Sequence, residues 1–353
     1  MQPALVVRFR PSGPWRLGAG PGVRDAEDVL LHSDSLFSAL CQSFHRLGLL
    51  EEWLDATVRS AGPPAVSLSS CFPYLDEVHF VVPPRTLWPP PPSPKARWEA
   101  ASFVPLALVN DLLAGRPLQE DGWTLDGQSQ CLLPSEVRFS APGPFRVVRR
   151  RRAAVDRVAG HVEPHSRACL EFPEGGGMWA VVGFAGEEAY ARWADPVRGA
   201  LQLLADTGLG GERSQGWGHS APPEFIEGEL PGTILTCPIE ESETEGAAAY
   251  WLLSLFVPAG ADAIDWQRSR YSLLTRGGRI ESPQGWGVPK KLLNMVSEGS
   301  VLYASAALRG AARDVAPEGF PHPAYRSGLA LAVRLPVAAG DRGAAAERPV
   351  GVA

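Results

Sequence analysis

The run GLGGERSQGWG, Gly208 to Gly218, places five glycines in eleven residues directly after a helical segment, and it constrains the chain more than any other feature. Several of these positions can take positive φ and turn consecutive amide donors towards an anion. The run is not a P-loop, because the G-K-[ST] ending and its lysine are absent and it follows a helix instead of preceding one. It is not a dinucleotide fingerprint either, since no G-x-G-x-x-G follows a strand here. Arg213 and Ser214 offer charge-assisted and hydroxyl hydrogen bonds to a backbone phosphate, and Trp217 offers a stacking face. A tight helix-to-strand connection without a ligand accounts for a lone glycine run equally well; the Arg-Ser pair favours the anion.

The segments around this loop set the fold class. Leu5 to Arg10 reads as a half-buried strand, with Arg8 and Arg10 alternating against Phe9. A helix follows Ser33, its predicted N-cap, through Leu36, Phe37, Leu40, Cys41, Phe44 and Leu47, and Gly48 weakens or ends it. Pro83, Pro84, Pro89 to Pro92 and Pro94 demand loop or polyproline. Between Glu136 and Phe184, the runs Phe145 to Val148 and Trp179 to Phe184 suggest a strand pair carrying a long basic excursion. A second helix is expected from Asp195 as N-cap, with Pro196 at its first position, to Gly208. Strand, helix, strands, helix, glycine-rich loop and closing strand is the order of a ferredoxin-like α+β unit. Beyond the acidic connector through Glu240, Glu241, Glu243 and Glu245 the pattern turns to strands: Tyr250 to Val257, Tyr271 to Thr275, a Gly277-Gly278 hairpin turn, Lys291 to Val296, a turn at Glu298-Gly299, Val301 to Ala306 and Leu329 to Leu335. The expected division is residues 1–226, residues 227–336 and a disordered tail at 337–353.

Charge adds a second constraint. The chain carries a net charge of -6, so it does not bind polyanions by bulk attraction. Yet Arg138, Arg146, Arg149, Arg150, Arg151, Arg152 and Arg157 face one acid, Asp156, between residues 138 and 157. In a strand, two of Arg149 to Arg152 would face each side, so a protruding hairpin is expected; a solvated strand edge is the plainer reading. The longest apolar stretch, Ala247 to Leu253, is far short of the ~20 residues of a bilayer span. The N-terminal residues lack a signal-peptide pattern, and the expected location is cytoplasmic. Cys41, Cys71, Cys131, Cys169 and Cys237 form no C-x-x-C pair, so buried, inert thiols are expected rather than disulfides or zinc. His32, His45, His161, His165 and His219 raise a ribonuclease chemistry of general acid and base, but no spacing among them is diagnostic.

Six ordered segments carry a resemblance: HSDSLFSAL from His32, CFPY from Cys71, VDRVAG from Val155, the glycine run from Gly208, SEGSVLY from Ser297 and HPAYRSGLAL from His322. Over residues 5 to about 335 the chain resembles the RAMP-superfamily subunit of type III-A CRISPR Csm effector complexes that binds the 5′ handle of the crRNA. The resemblance implies two ferredoxin-like (RRM-like) domains and a binding role with no catalytic site and no cofactor or metal. It implies that Gly208, Gly210, Gly211, Arg213, Ser214, Gly216, Trp217 and Gly218 hold handle phosphates. A thumb-like hairpin near Arg149 to His165, with Arg150, Arg151, Arg152, Arg157 and His161, would wedge at the junction of handle and guide. The implied neighbours are a large cyclase/polymerase-like subunit, a repeated backbone subunit and, indirectly, target RNA; no membrane is involved. Glu212 stands where the family loop has a basic residue, and a carboxylate beside phosphate is repulsive unless it points away. His32 and Ser33 either contact RNA or start the helix, with capping ahead for Ser33. A processing endoribonuclease using His32 or His161, and a structural bridge whose arginines hold an acidic protein, are the alternatives.

Overall fold

A computed structural model of the chain describes residues 2–18, 28–90, 98–155, 162–236, 247–282 and 285–336. The first strand, β1 (Gln2–Phe9), leads to helix α1 (Ser33–Arg46). Leu36, Phe37, Leu40 and Phe44 recur at three- and four-residue spacing, and α1 buries that stripe. Phe44 stacks on Trp53 with ring centroids 4.5 Å apart, and Trp193 meets both rings edge-on. Gly48, at φ +73°, follows the end of the helix and leaves Leu47 exposed.

The first unit continues with the hairpin β2 (Phe72–Leu75) and β3 (Val78–Val81), then the basic hairpin β4 (Arg146–Val155) and β5 (Val162–Glu171). Strand β6 (Gly176–Phe184), helix α2 (Glu187–Thr207) and β7 (Glu224–Leu230) complete it. The main sheet is antiparallel and seven-stranded; its longer strands run in the order β7–β1–β6–β2–β3, with Ala4 opposite Gly183 and Phe9 opposite Met178, and the short segments Val66–Leu68 and Val104–Pro105 pair with β6 and β3. Its first four strands in space are thus the fourth, first, third and second in the chain. Helices α1 and α2 pack together, and α2 lies on β1 and β6.

Several expectations are corrected here. Strand β1 is buried on both faces, because Arg8 donates to the Asp76 carbonyl at 2.7 Å and lies 4.3 Å above the Tyr74 ring instead of facing solvent. Helix α2 begins at Glu187, eight residues ahead of Asp195, and runs through Pro196 in its interior. Phe145 to Val148 does not pair with Trp179 to Phe184; Arg146–Val155 pairs with Val162–Glu171, and β6 joins the main sheet. Residues 82–90 hold no helix or strand, as the prolines require, while 91–97 lie outside the described residues. Strand β7 spans Glu224–Leu230.

The second unit contains β8 (Ala248–Leu252), β9 (Ile264–Arg270), β10 (Leu273–Arg276) and β11 (Arg279–Ser282). It continues with β12 (Gly285–Pro289), β13 (Leu293–Val296), β14 (Val301–Ala304) and β15 (Ala332–Arg334). The sheet β9–β14–β8–β15 is antiparallel and repeats the chain-to-space order of the first unit's four strands. The pair Gly277-Gly278 is not a hairpin turn: β10 pairs with β13 and β11 with β12, so the glycines break one arm of a single long hairpin. The turn at Glu298-Gly299 stands as expected, with Gly299 at φ +79°. The acidic connector at 237–246 and the tail at 337–353 lie outside the described residues.

One apolar core joins the units, since Trp251, Val301, Tyr303 and Leu331 cluster with Leu5, Phe72 and Trp179. The Trp251 indole donates to the Val82 carbonyl at 3.2 Å, and the Arg85 amide to the Gly299 carbonyl at 2.9 Å. Cys71, Cys131 and Cys169 are buried and unbridged, and burial pushes the Cys41 thiol up to about 12. Among the described residues no helix is long and apolar enough to cross a membrane.

Candidate nucleic-acid interface

The glycine-rich loop leaves the C-terminus of α2 and folds back over the segment Pro14–Leu17. Glycine is required there by close backbone contact. At Gly210 a Cβ would sit 2.2 Å from the Arg16 carbonyl oxygen, and at Gly218 it would sit 2.1 Å from that of Leu209; φ is +86° and +83° respectively. The amides of Gly208, Gly211, Gly216 and Gly218 donate to the carbonyls of Leu204, Arg16, Arg213 and Pro14 at 2.9–3.0 Å. These glycines therefore do not present a row of open donors, which corrects the expected anion nest. Trp217 is 3% exposed, packed into the loop with the Arg150 guanidinium 5.8 Å from its ring, so it is not an open stacking face. Ser214 is exposed in the single turn Arg213–Gln215.

Glu212 has a place that the sequence did not reveal. At φ +61° its carboxylate lies 3.2 Å from Arg16 and 3.7 Å from Arg167, so its charge moors the loop to the foot of the basic hairpin. The register of that hairpin sets Arg150 opposite Arg167 and Arg149 opposite Ala168. Arg149, Arg150 and Arg151 thus alternate in face, as a strand requires. Arg150 faces the glycine loop and holds Glu171 through Nε at 3.1 Å and Nη2 at 2.6 Å, with Arg146 3.7 Å from the same carboxylate. Arg149 and Arg151 are exposed and have no acidic partner among the described residues. Arg152 is set opposite His165 by the backbone register; Arg157 and His161 lie outside the described residues.

Between α1, the glycine loop and the C-terminal hairpin opens a cleft of about 220 Å³. Arg46, Arg213, Arg279, Lys290 and Arg326 line it, against two acids, Asp34 and Glu281. A surplus of three positive charges is thereby gathered in one cleft of a chain whose net charge is -6. Burial, then the neighbouring Arg326, holds the Lys290 ammonium below its ordinary value. The Arg326 Nε is buried with no hydrogen-bond partner. Arg213 reaches across the cleft to Gln42 on α1 at 3.2 Å and to Glu281 on β11.

His32, Ser33 and Asp34 belong to a buried clasp beneath the cleft. His32 places Nδ1 2.7 Å from Glu298 and Nε2 2.9 Å from Asp28. Burial opposes the imidazolium charge, but Glu298 and Asp28 outweigh it and raise the pKa to about 10. Asp34, its side chain 1% exposed, accepts from Arg276 Nε and Nη2 at 3.1 Å each, and pairs with Arg326. Burial acts against the Asp34 charge too, yet the two guanidiniums keep the carboxyl below its usual range. Three acids thus face three cations across the two units. Ser33 is not a helix cap: its hydroxyl accepts from the Leu255 amide at 3.0 Å, and the His32 carbonyl begins the helical bonding. Both ring nitrogens of His32 are engaged by carboxylates, so neither is available to RNA or to act as a general base. Among the described residues no group of three or more His, Cys, Asp or Glu side chains could hold a metal ion.

Comparison with known proteins bears on the fold. Residues 245–335 match the family model described as the CRISPR Csm4 C-terminal domain. A chain of the Csm3–Csm4 subcomplex of a type III-A CRISPR-Cas interference complex is similar at TM-score 0.62 and 17% identity, over 95% of this chain and 99% of that one. A chain of the Csm1–Csm4 cassette in complex with cA4 is similar at TM-score 0.57 and 18% identity, over 94% and 98%. No curated protein sequence matches the chain. The match to the Csm4 C-terminal model is confined to residues 245–335, and over nearly its whole length the chain has a Csm4-like α+β fold.

Proposed function

We propose that the chain is a non-catalytic RNA-binding subunit of a type III-A CRISPR interference complex, holding the 5′ handle of the crRNA and capping the backbone filament. The observation that carries this reading is the convergence of the glycine loop, α1 and the C-terminal hairpin on one cationic cleft of an acidic chain. Phosphate contacts there fix the register of a single strand, while exposed base edges supply sequence preference. The strand order of both sheets supports two ferredoxin-like domains. The hairpin β4–β5 fits the thumb that wedges at the junction of handle and guide, with Arg149 and Arg151 on its open face.

The similar chains come from assemblies with Csm1 and with Csm3. This chain accordingly takes a large cyclase/polymerase-like subunit and a repeated backbone subunit as neighbours, in the cytoplasm, and meets target RNA only through the guide. His32, fixed between two carboxylates, supports binding without cleavage.

The test is titration of the full chain against a fluorescein-labelled, repeat-derived single-stranded RNA over a range of salt. Arg213→Ala should weaken binding roughly uniformly across guide sequences and flatten the log K against log salt slope by about 0.7, one single-strand phosphate equivalent. An unchanged slope would remove Arg213 from the interface.

A further inference from the structure

We propose that Glu281 is a built-in competitor for phosphate at Arg213: its carboxylate holds the place on the guanidinium that an RNA phosphate oxygen takes, and RNA enters the cleft by displacing it. This rests on the RNA-binding reading and adds to it a gate on the same site. Arg213 is held by Gln42 from one side and by Glu281 from the other, so its side chain spans the cleft and ties the glycine loop to β11. The second acid of the cleft cannot serve as the exchangeable anion. Asp34 is 1% exposed on its side chain and saturated by Arg276 and Arg326, whereas the Glu281 side chain is 45% exposed. The strand that carries Glu281 is also able to yield. Gly277 and Gly278 separate it from β10, Gly278 has φ +135°, and the pairing of β11 with β12 shifts register between Arg279 and Glu281.

The exchange favours a strand over a lone anion. A carboxylate tethered beside its partner competes at an effective concentration on the order of millimolar, so isolated anions below that level do not dislodge it. A strand whose neighbouring phosphates meet Arg46, Arg279 and Lys290 brings the displacing phosphate at a comparable effective concentration, with a surplus of cations to receive it. Once released, Glu281 moves into solvent at little cost.

The test compares the full-length wild type with Glu281→Gln, Arg213→Ala and the double variant in the repeat-derived RNA titration. An exposed ion pair is worth little, so Glu281→Gln should tighten binding by about two- to fivefold and steepen the salt dependence. In the Arg213→Ala background the same substitution should have no effect. Glu188→Gln, which removes an equal charge in the first turn of α2, about 30 Å along the helix from the loop, should leave binding unchanged. Equal or weaker binding by Glu281→Gln overturns the gate, as does a gain that persists without Arg213 or is matched by Glu188→Gln. Failure of the wild type to bind the RNA at all overturns both the gate and the RNA-binding reading.

Discussion

Replacing Asp34 by asparagine should be among the most damaging single changes outside the apolar core. The carboxylate is buried, receives two hydrogen bonds from Arg276 at 3.1 Å and pairs with Arg326, whose Nε has no partner of its own. Asparagine keeps one acceptor of similar shape but leaves two guanidiniums in the interior with one anion fewer. Breaking a buried pair by removing one partner costs ~3–5 kcal/mol, because the remaining charge is uncompensated. Against a typical total of ~5–15 kcal/mol this is a large loss. At a urea slope of ~2–3 kcal/mol/M the midpoint should fall by roughly 1–2 M, followed by tryptophan fluorescence. The charges themselves need not be the source of stability. Asp34→Leu combined with Arg276→Met and Arg326→Met should recover most of the loss, since well-packed apolar groups replace a buried ionic cluster at little cost. A loss under about 1 kcal/mol for Asp34→Asn would refute the reasoning, as would a triple variant less stable than the single one.

The clasp also makes stability depend on pH. The folded-state pKa of His32 is about 10 against an ordinary 6.5, so its contribution is complete below pH 6.5 and is lost as pH rises towards 10. Urea midpoints of the wild type should decline across that window while those of His32→Gln start lower and stay flatter; parallel profiles would contradict the assignment. Gly210→Ala should cost ~2–3 kcal/mol, because its Cβ meets the Arg16 carbonyl at 2.2 Å with φ +86°, whereas Gly216→Ala, with open space around it, should cost about 1 kcal/mol. Equal midpoints for the two variants would sink the close-contact explanation. Arg149→Ala and Arg151→Ala should weaken RNA binding without changing the melting temperature, while Arg150→Ala should loosen the hairpin foot through Glu171, read as faster amide exchange in β4 and β5.

What could be read from the sequence was local periodicity and backbone punctuation. Helix α1 announced itself through Leu36, Phe37, Leu40 and Phe44, and Gly48 ended it. That Arg149, Arg150 and Arg151 alternate in face followed from strand alternation alone. The glycine run signalled positive φ correctly, yet its cause is contact with the Arg16 and Leu209 backbone, and a glycine pattern does not distinguish that from an anion nest. Pro196 misled because proline favours a helix start, and nothing local shows that the helix already runs from Glu187. Strand β9, IDWQRSR, escaped because only Ile264 and Trp266 alternate with polar residues before the segment turns wholly polar. The clasp was invisible for a different reason: Asp34 meets residues 242 and 292 positions away, and Ser33 meets one 222 away. Only the third dimension turns an apparent N-cap into a long-range hydrogen bond with the Leu255 amide.

The central claim is that this cleft holds the constant end of a guide RNA. The most direct measurement is to co-express the tagged chain with its genomic neighbours, crosslink with ultraviolet light, purify, sequence the RNA and map the crosslinked peptides. The account predicts small RNAs sharing one constant 5′ segment, crosslinked to peptides containing Arg213, Lys290 or Arg149. An assembly that carries no RNA, or RNA whose 5′ segments crosslink only to other subunits, would contradict it.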